Sequence, residues 1–294
     1  MASNTEALAH LANLSQHIGA NAAYVQGGGG NISVKLSAQE MAIKASGWLL
    51  ADVTASTGYS IVDYAAIIDY LKNADSDEAR FNKDLQACTL TPTYRPSIET
   101  GFHALLDKYV VHSHSVFANL LTCALEGQAL VTQLFAEALW IAYATPGRDI
   151  TLAIQAALQK TSKMPAVLFL ENHGLIVTAP TAEQVAELHT VVNARILEHF
   201  ELSADAFRIN VPSCDQAFMQ NHVLFPDQVV YTLAGEGLLK TQAAQETLAA
   251  YHFILNTIQE KGLTPYFIQQ DKAQLLLNLE TEKYRQQVLK NAVY

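Results

Sequence analysis

The chain contains 294 residues, of which 50% are hydrophobic and 16% are charged, and its formal net charge at pH 7 is -10. This length and apolar fraction are sufficient for one large domain, with or without a smaller subdomain. An acidic surface does not attract phosphate backbones or anionic lipid headgroups, so the composition argues against nucleic acid and membrane surfaces as partners. The low share of charged residues favours self-association.

The cysteine content and the N-terminus indicate the compartment. Cys88, Cys123 and Cys214 are widely spaced and are expected to be reduced, small buried hydrophobic residues of a cytosolic protein. The N-terminal residues lack the basic start and the apolar core of a signal peptide. Because no stretch of about 20 residues is apolar enough to span a bilayer, the sequence predicts a cytoplasmic protein without membrane partners.

The first third of the chain predicts two helices separated by a strand pair. Apolar side chains between residues 5 and 18 recur with the 3.6-residue period of an amphipathic helix. Four consecutive glycines, Gly27 to Gly30, follow this helix and precede a strand, which is the reverse of the order in nucleotide-binding fingerprints. The predicted elements are a helix at 5–18, strands at 33–36 and 41–45, a helix at 61–72 and a surface loop at 73–93.

The glycine-rich run has two interpretations. One is a flexible loop without a ligand. The other is an anion cradle built from backbone N–H groups, since glycine lets the backbone approach a ligand closely. In the second interpretation Asn31, Ser46, Gly47 and Ser97 add further donors.

The rest of the chain alternates helices and strands. Pro96 opens a helix that is expected to reach residue 107, with Ser97 as its cap and Glu99 in its first turn. The alternation, with several adjacent strand pairs, predicts an α/β fold in which helices cover both faces of a mixed sheet. The other predicted strands are 109–114, 139–143, 166–170, 175–178 and 229–233, and the other predicted helices are 115–125, 150–160, 181–200, 241–261 and 273–290.

Two histidines lie on the predicted strand 109–114. Side chains at positions i and i+2 of a strand point to the same face, so His112 and His114 can share one metal ion. Alone, such a pair is about as often packed or solvated as metal-bound. His173 follows another predicted strand, and Glu99 lies beside a helix start. Because three neutral imidazoles with an open position are typical of catalytic zinc, we predict that these four residues surround a divalent metal.

The other histidines are expected to be structural. His103 shares a helix face with Glu99 at i, i+4 spacing, and we interpret it as a packed residue of that face rather than a ligand. The remaining ones have no evident partner and are interpreted as structural or solvated: His10, His17, His189, His199, His222 and His252.

Six short segments, in this order, resemble the class II aldolase/adducin family. They are Gly-Gly-Gly-Asn-Ile-Ser at 28–33, Lys-Ala-Ser-Gly at 44–47, Pro-Ser-Ile-Glu at 96–99, Val-Val-His-Ser-His at 110–114, Ala-Tyr-Ala-Thr-Pro-Gly at 142–147 and Glu-Asn-His-Gly at 171–174. The resemblance is nearest to the rhamnulose- and fuculose-phosphate aldolases. It implies a family domain over residues 1–205 and a C-terminal extension, 206–294, packed on the same domain.

The resemblance also implies an architecture and a set of site residues. The fold would be a three-layer α/β/α arrangement around a central mixed, largely antiparallel sheet, assembled as a fourfold symmetric homotetramer. His112, His114 and His173 match the zinc ligands, and Glu99 matches the catalytic acid/base. Tyr143 matches a tyrosine that donates a proton to the neighbouring subunit's substrate. The family's phosphate-binding positions match Gly30, Asn31, Ser46, Gly47 and Ser97.

The implied activity is that of a lyase of carbohydrate metabolism, a zinc-dependent aldolase acting on a sugar or sugar phosphate. Zinc would stabilise the enediolate left by C–C cleavage, and Glu99 would move the proton, best with its pKa raised toward neutrality. The sugar-phosphate aldolases carry two adjacent serines before this glutamate. The second is Ile98 here, so a phosphate is expected to be less securely held.

Other functions on the same fold stay open. Dehydratases and decarboxylases of the family also keep three histidines and a glutamate, whereas its 4-epimerases carry aspartate where this chain has Glu99. A non-catalytic adducin-like scaffold has no need of metal ligands, so the three histidines argue for an enzyme. Zinc suits such ligands, and manganese, cobalt or iron could occupy the same site.

Overall fold

The structure, a computed structural model, describes residues 4–72, 77–91, 93–211, 216–233 and 241–278. Its centre is a seven-stranded mixed sheet with the strand order β3-β2-β1-β4-β7-β6-β5, in which β5 and β6 pair in parallel and the other neighbours are antiparallel. The strands are β1 (Asn31–Lys35), β2 (Glu40–Lys44), β3 (Tyr59–Asp63), β4 (Tyr109–Ser113), β5 (Leu139–Ile141), β6 (Val167–Leu170) and β7 (Gly174–Ala179).

Helices cover both faces of this sheet, which confirms the predicted three-layer α/β/α fold. One layer contains α1 (Asn4–Gly19), α5 (Val116–Thr122), α6 (Gly127–Leu134), α8 (Ala182–His199) and α11 (Gln242–Glu260), and the other contains α2 (Tyr64–Leu71), α3 (Glu78–Ala87), α4 (Thr100–Leu105) and α7 (Arg148–Leu158). Short helices α9 (Gln216–Asn221) and α10 (Pro226–Gln228) precede α11, and α12 (Gln270–Asn278) follows it.

Strand β4 lies in the middle of the sheet, and its side chains pack against both helical layers. Its neighbours are β1, with Asn31 opposite His112, and β7, with Ile176 opposite His112. Because side chains alternate along a strand, Val111 packs into the core beneath α5 and α8, while Val110 packs against α4 and α7. His112 points to the same face as Val110, with its ring edge-on to Phe102 of α4.

A hairpin between β6 and β7 brings the third histidine to the same edge. Its turn places Asn172 at φ 52°, a left-handed conformation that asparagine tolerates better than most residues. The Asn172 amide donates hydrogen bonds to the carbonyls of Leu224 (2.9 Å) and Tyr266 (2.7 Å). The C-terminal part of the chain therefore fixes the turn from which His173 projects.

Several segments differ from the sequence predictions. The helix predicted to open at Pro96 with Ser97 as its cap begins only at Thr100 and ends at Leu105. Residues 61–63 belong to β3, because Ser60 and Val62 alternate into the core, and the helix begins only at Tyr64 with Asp63 as its cap. The expected loop 73–93 contains α3, a polar helix that buries Phe81 and Leu85.

The apolar run Val229–Leu233, predicted as a strand, is a π-helical turn after α10. Here the tertiary surroundings decide, because an apolar run without periodicity suits a buried strand or a buried helix equally. Helix α6 was not predicted. Cys214 and the part of the predicted C-terminal helix beyond residue 278 lie outside the described residues, whereas Cys88 and Cys123 are free thiols.

The described part of the C-terminal extension packs on the same core. Tyr251, Ile254 and Ile258 of α11 join the apolar cluster that also contains α5 and α8. Within the described ranges, no helix has both the length and the apolar composition needed to cross a membrane.

The rear face of β4 carries a buried histidine whose protonation is coupled to folding. His189 of α8 is 1% exposed and lies 2.9 Å from Ser113 Oγ. Burial lowers its pKa from 6.5 to about 4. Between these two pH values the unfolded chain binds a proton at His189 that the folded chain does not bind, so the free energy of unfolding falls as the pH falls from about 6.5 to about 4.

We expect the His189→Gln variant to lose part of this acid sensitivity. Glutamine can still bond to Ser113 but does not titrate. Between pH 7 and pH 4 the free energy of unfolding of the variant should therefore fall by about 3 kcal/mol less than that of the wild type. Urea denaturation at several pH values measures this difference. His199→Gln, which removes an exposed histidine of the same helix, is the control. Parallel profiles for the wild type and His189→Gln would contradict the assignment.

Candidate active site

Three buried histidines converge at one edge of the sheet. Nε2 of His112 and Nε2 of His114 are 3.2 Å apart. The ring of His173 lies with its centroid 4.9 Å from that of His112 and 5.1 Å from that of His114. One nitrogen from each ring lies within 4.8 Å of the other two, and all three residues are buried. The structure thus brings together the three residues predicted as metal ligands.

The hydrogen bonds on the outer nitrogens show that this cluster fits a cation. Nδ1 of His112 lies 3.1 Å from the Leu175 carbonyl, and Nδ1 of His114 lies 2.8 Å from Asp227 Oδ2. Since carbonyl and carboxylate oxygens only accept, both Nδ1 atoms carry the proton and both Nε2 lone pairs point inward. Two inward lone pairs repel unless a cation lies between them. A tetrahedral ion with Zn–N bonds of about 2.0–2.1 Å suits such a spacing.

Burial keeps the imidazoles in the form that binds metals. It lowers the pKa of His112 to about 4 and that of His173 to about 3, because the low-dielectric interior disfavours the imidazolium. Both rings are therefore neutral at pH 7, and their lone pairs are available for coordination without loss of a proton.

The carboxylate of Glu99 lies between two of the rings. Oε2 is 3.6 Å from His112 Nε2, and Oε1 is 3.4 Å from His173 Nε2. Within the described part of the chain Oε1 has no hydrogen-bond partner. Glu99 occupies the residue position before helix α4, not its first turn, and its own N–H donates to Ser97 Oγ. An incompletely bonded buried oxygen facing three imidazoles is a further polar group that a cation or a substrate would satisfy.

The electrostatics of Glu99 differ from the expectation of a raised pKa. Burial alone raises the pKa of this carboxyl, but the positive charges that the three histidines would carry in acid, together with a hydrogen bond from Asn31, lower it to about 2. The group is ionised at neutral pH. In this state Glu99 is ready to accept a proton rather than to donate one.

A chain of directed hydrogen bonds holds Glu99 from behind. Asn31 Nδ2 donates to Glu99 Oε2 (2.6 Å), so Asn31 Oδ1 accepts from His103 Nε2. The other nitrogen of His103, Nδ1, then accepts from Ser33 Oγ at 2.7 Å. His103 is fully buried, and burial lowers its pKa to about 3, which keeps it neutral. His103 is thus a packed residue, as predicted, that also orients the amide next to Glu99.

A cleft opens beside the histidines, and all five residues predicted to bind phosphate line it. It is bordered by Gly30, Asn31, Ser46, Gly47, Ser97 and Glu99, together with Gly28, Lys44, Ile98, His114, Pro146, His173, Pro226 and Asp227. Lys44 is only 3% exposed and donates from Nζ to the Gly28 carbonyl at 2.9 Å. Its amino group is a polar group of the cleft that the predicted site did not include.

Most N–H groups of the glycine-rich run are not available as an anion cradle. Gly27 N donates to Glu246 Oε2 (2.8 Å), Gly28 N donates to the Tyr231 hydroxyl (3.2 Å), and Gly29 N donates to the Gln26 carbonyl (3.0 Å). The first part of the loop is therefore fastened by the C-terminal region, and only its last glycine, Gly30, remains among the predicted ligand-binding positions.

Tyr143 lies apart from this cleft within one chain. Its N–H donates to Glu171 Oε2 (2.8 Å), and its ring packs against C-terminal residues such as Val229 and Ile268. Burial raises the pKa of its hydroxyl.

Sequence reasoning missed two residues of the site. Lys44 lies in the Lys-Ala-Ser-Gly segment, and a lysine on an otherwise apolar strand was a usable signal. Asp227 lies far along the chain, next to Pro226, and no local pattern points to it.

Comparison with protein families gives a match to the class II aldolase and adducin N-terminal domain over residues 9–196. A comparison with proteins of curated function gave no match.

Solved structures share the fold. The N-terminal class II aldolase domain of a conserved protein from Thermoplasma acidophilum has a TM-score of 0.59 and 22% identity, over 68% of this chain and 94% of that one. YgbL from Klebsiella pneumoniae, a candidate aldolase, epimerase or decarboxylase, has a TM-score of 0.52 and 18% identity, over 70% of this chain and 93% of that one. An aldolase II superfamily protein from Pseudomonas syringae has a TM-score of 0.51 and 14% identity, over 68% of this chain and 77% of that one.

The support behind Glu99 can be tested by removing His103. In His103→Phe, the ring still stacks near Phe102, but Asn31 Oδ1 and Ser33 Oγ lose their partner. Each orphaned buried group costs about 1–3 kcal/mol, so we expect the free energy of unfolding, measured in urea, to fall by at least that amount. Adding Ser33→Ala removes one of the two unpaired groups and should restore part of the lost free energy of unfolding. A His103→Phe protein as stable as the wild type would rule out this chain of bonds.

Proposed function

Because the chain belongs to the class II aldolase and adducin family, we propose that it is a metal-dependent aldolase that cleaves or forms a C–C bond in a ketose or ketose phosphate. The convergence of three buried imidazoles on one point beside a cleft carries this proposal. His112, His114 and His173 would hold the ion. Three histidine ligands are typical of catalytic zinc sites, so zinc is the ion that we propose.

When bound there, a divalent ion supplies Lewis acidity that polarises a substrate carbonyl. The chain supplies the remaining chemistry. Glu99 is ionised, lies between two of the rings and is fixed by Asn31, so it would take the proton of the substrate hydroxyl as the C–C bond breaks. It would then return that proton to the carbon from which the aldehyde has separated.

The polar end of the cleft would bind the substrate's anion or hydroxyls. Ser46, Gly47 and Ser97 line it together with Lys44. A lysine ammonium attracts phosphate or carboxylate as a point charge. Ile98 takes the place of a second serine and offers no donor, so discrimination between a ketose phosphate and the free ketose would depend mainly on Lys44.

Assembly into a homotetramer is part of the proposal, since it would bring Tyr143 of one subunit to the cleft of the next as a proton donor. Residues 206–294 would act as an extension packed on the family domain. A non-catalytic scaffold is disfavoured because it would not require three buried histidines, two of which direct their lone pairs inward, an arrangement that is costly without a ligand.

We expect near-stoichiometric zinc in protein purified without added metal, and loss of it in His112→Ala. Elemental analysis per chain measures both. Glu137→Gln, which alters an exposed carboxylate bound to Lys163, is the control and should keep its metal. A wild-type protein that contains no divalent metal, and takes none up when zinc is added, would rule out the enzyme and favour a scaffold.

Glu99→Gln should retain zinc and lose most turnover, by at least about a hundredfold, because the amide keeps the shape but cannot accept a proton. The assay is aldehyde release from a panel of ketoses and ketose phosphates. Near wild-type turnover of the best substrate in this variant would refute the role of Glu99.

Ile98→Ser should restore a donor at the polar end of the cleft. A hydrogen bond to a charged group contributes about 1.5–3 kcal/mol, so kcat/KM for a ketose phosphate relative to the free ketose should rise by about tenfold or more. Ile98→Val, which keeps the side chain apolar, is the control. An unchanged ratio in Ile98→Ser would show that the anion does not bind beside this residue.

A further inference from the structure

Asp227 is a buried carboxylate at the metal centre that belongs to none of the matched motifs. We propose that Asp227 positions His114, holding its ring in the metal-binding tautomer and orientation, and that the segment 223–233 is thereby part of the metal centre. The inference rests on the proposed function, because it assumes that the three histidines bind a metal ion.

The contact is short and shielded from water. Asp227 Oδ2 lies 2.8 Å from His114 Nδ1, and the two residues are 1% and 5% exposed. The carboxylate meets the ring at Nδ1, while Nε2 of the same ring faces His112. A carboxylate that binds the outer nitrogen of a metal-ligating histidine fixes the ring and raises its basicity. Asp227 therefore acts through His114 and not as a ligand.

The three histidines differ in their outer partners. His112 has the neutral carbonyl of Leu175, and within the described part of the chain Nδ1 of His173 has no hydrogen-bond partner. His114 is the member of this trio that a carboxylate supports. In a buried site a negative charge next to a ligand stabilises a bound cation more than a neutral dipole does.

A hydrogen bond within its own segment and the close approach of Gly29 fix the position of the carboxylate. Gln228 Oε1 accepts from Leu224 N at 2.8 Å, which closes the turn that presents Asp227. A Cβ atom at Gly29 would lie 2.5 Å from Asp227 Oδ2 and 2.7 Å from His114 Nδ1. The pair fills the space that a side chain at position 29 would take. The family match ends at residue 196, so this support comes from outside the matched region.

The test compares the zinc affinities of the wild type, Asp227→Asn and Glu246→Gln by competition with a chromophoric chelator at one pH. Asparagine keeps the size of the side chain and removes its charge. Glu246 is a matched control, because it is a second buried carboxylate of the C-terminal region that binds the Gly27 N–H and not a histidine. We expect Asp227→Asn to bind zinc about 10–100-fold more weakly and Glu246→Gln to bind it like the wild type.

A second comparison separates positioning from general packing. In a His114→Ala background, Asp227→Asn should cause no further loss of zinc affinity, since the ring through which Asp227 acts is absent. A further loss as large as in the wild-type background would overturn the inference, as would equal weakening in Asp227→Asn and Glu246→Gln.

The remaining outcomes distinguish the inference from the proposed function. Wild-type affinity in Asp227→Asn overturns the inference alone, whereas a wild-type protein that does not bind zinc overturns both. If Asp227→Asn does not fold, as judged by circular dichroism, long-range 1H–15N NMR of the zinc-loaded wild type decides. A proton on His114 Nδ1 with Nε2 bound to zinc supports the inference, and zinc on Nδ1 overturns it.

Discussion

The desolvation of three imidazoles at one point is the constraint on which the arrangement of the site depends. Removed from water, an imidazole is more stable when it is neutral and its outer nitrogen is bonded, because buried charges and unpaired polar groups are costly. Two distant parts of the chain provide such bonds for His112 and His114: β7 provides the Leu175 carbonyl and the C-terminal region provides Asp227. The inner nitrogens of these two rings are then left with their lone pairs directed at one another.

The alternation of side chains along β4 separates reactive from structural polar groups. On one face His112 meets Glu99 and, through Asn31, the buried His103. On the other face Ser113 meets His189 beneath α8. Both faces contain buried histidines with depressed pKa values, but the cleft described above is lined by Glu99, His114 and His173 and not by His189. Depressed pKa values alone therefore do not identify the reactive side of the sheet.

Much of the fold and the core of the site could be predicted from the sequence, because they depend on local signals. The period of two in β4 placed His112 and His114 on one side, and short motifs identified Glu99 and His173. The sequence failed where tertiary packing decides. The apolar run 229–233 is helical because it lies between helices. The glycine-rich loop is fastened by side chains two hundred residues away, and the pKa of Glu99 is set by neighbours from three elements.

The hydrogen bonds from Gly27 to Glu246 and from Gly28 to Tyr231 have a consequence for the biogenesis of the protein. All three predicted ligands precede residue 174, so a nascent chain would contain every metal-binding side chain long before it contains the groups that tether the loop and support His114. Since chains emerge from the ribosome N-terminus first, Asp227 can reach His114, and Glu246 can tether the loop, only after the C-terminal region has been synthesised. The three rings are therefore made well before the contacts that fix their surroundings.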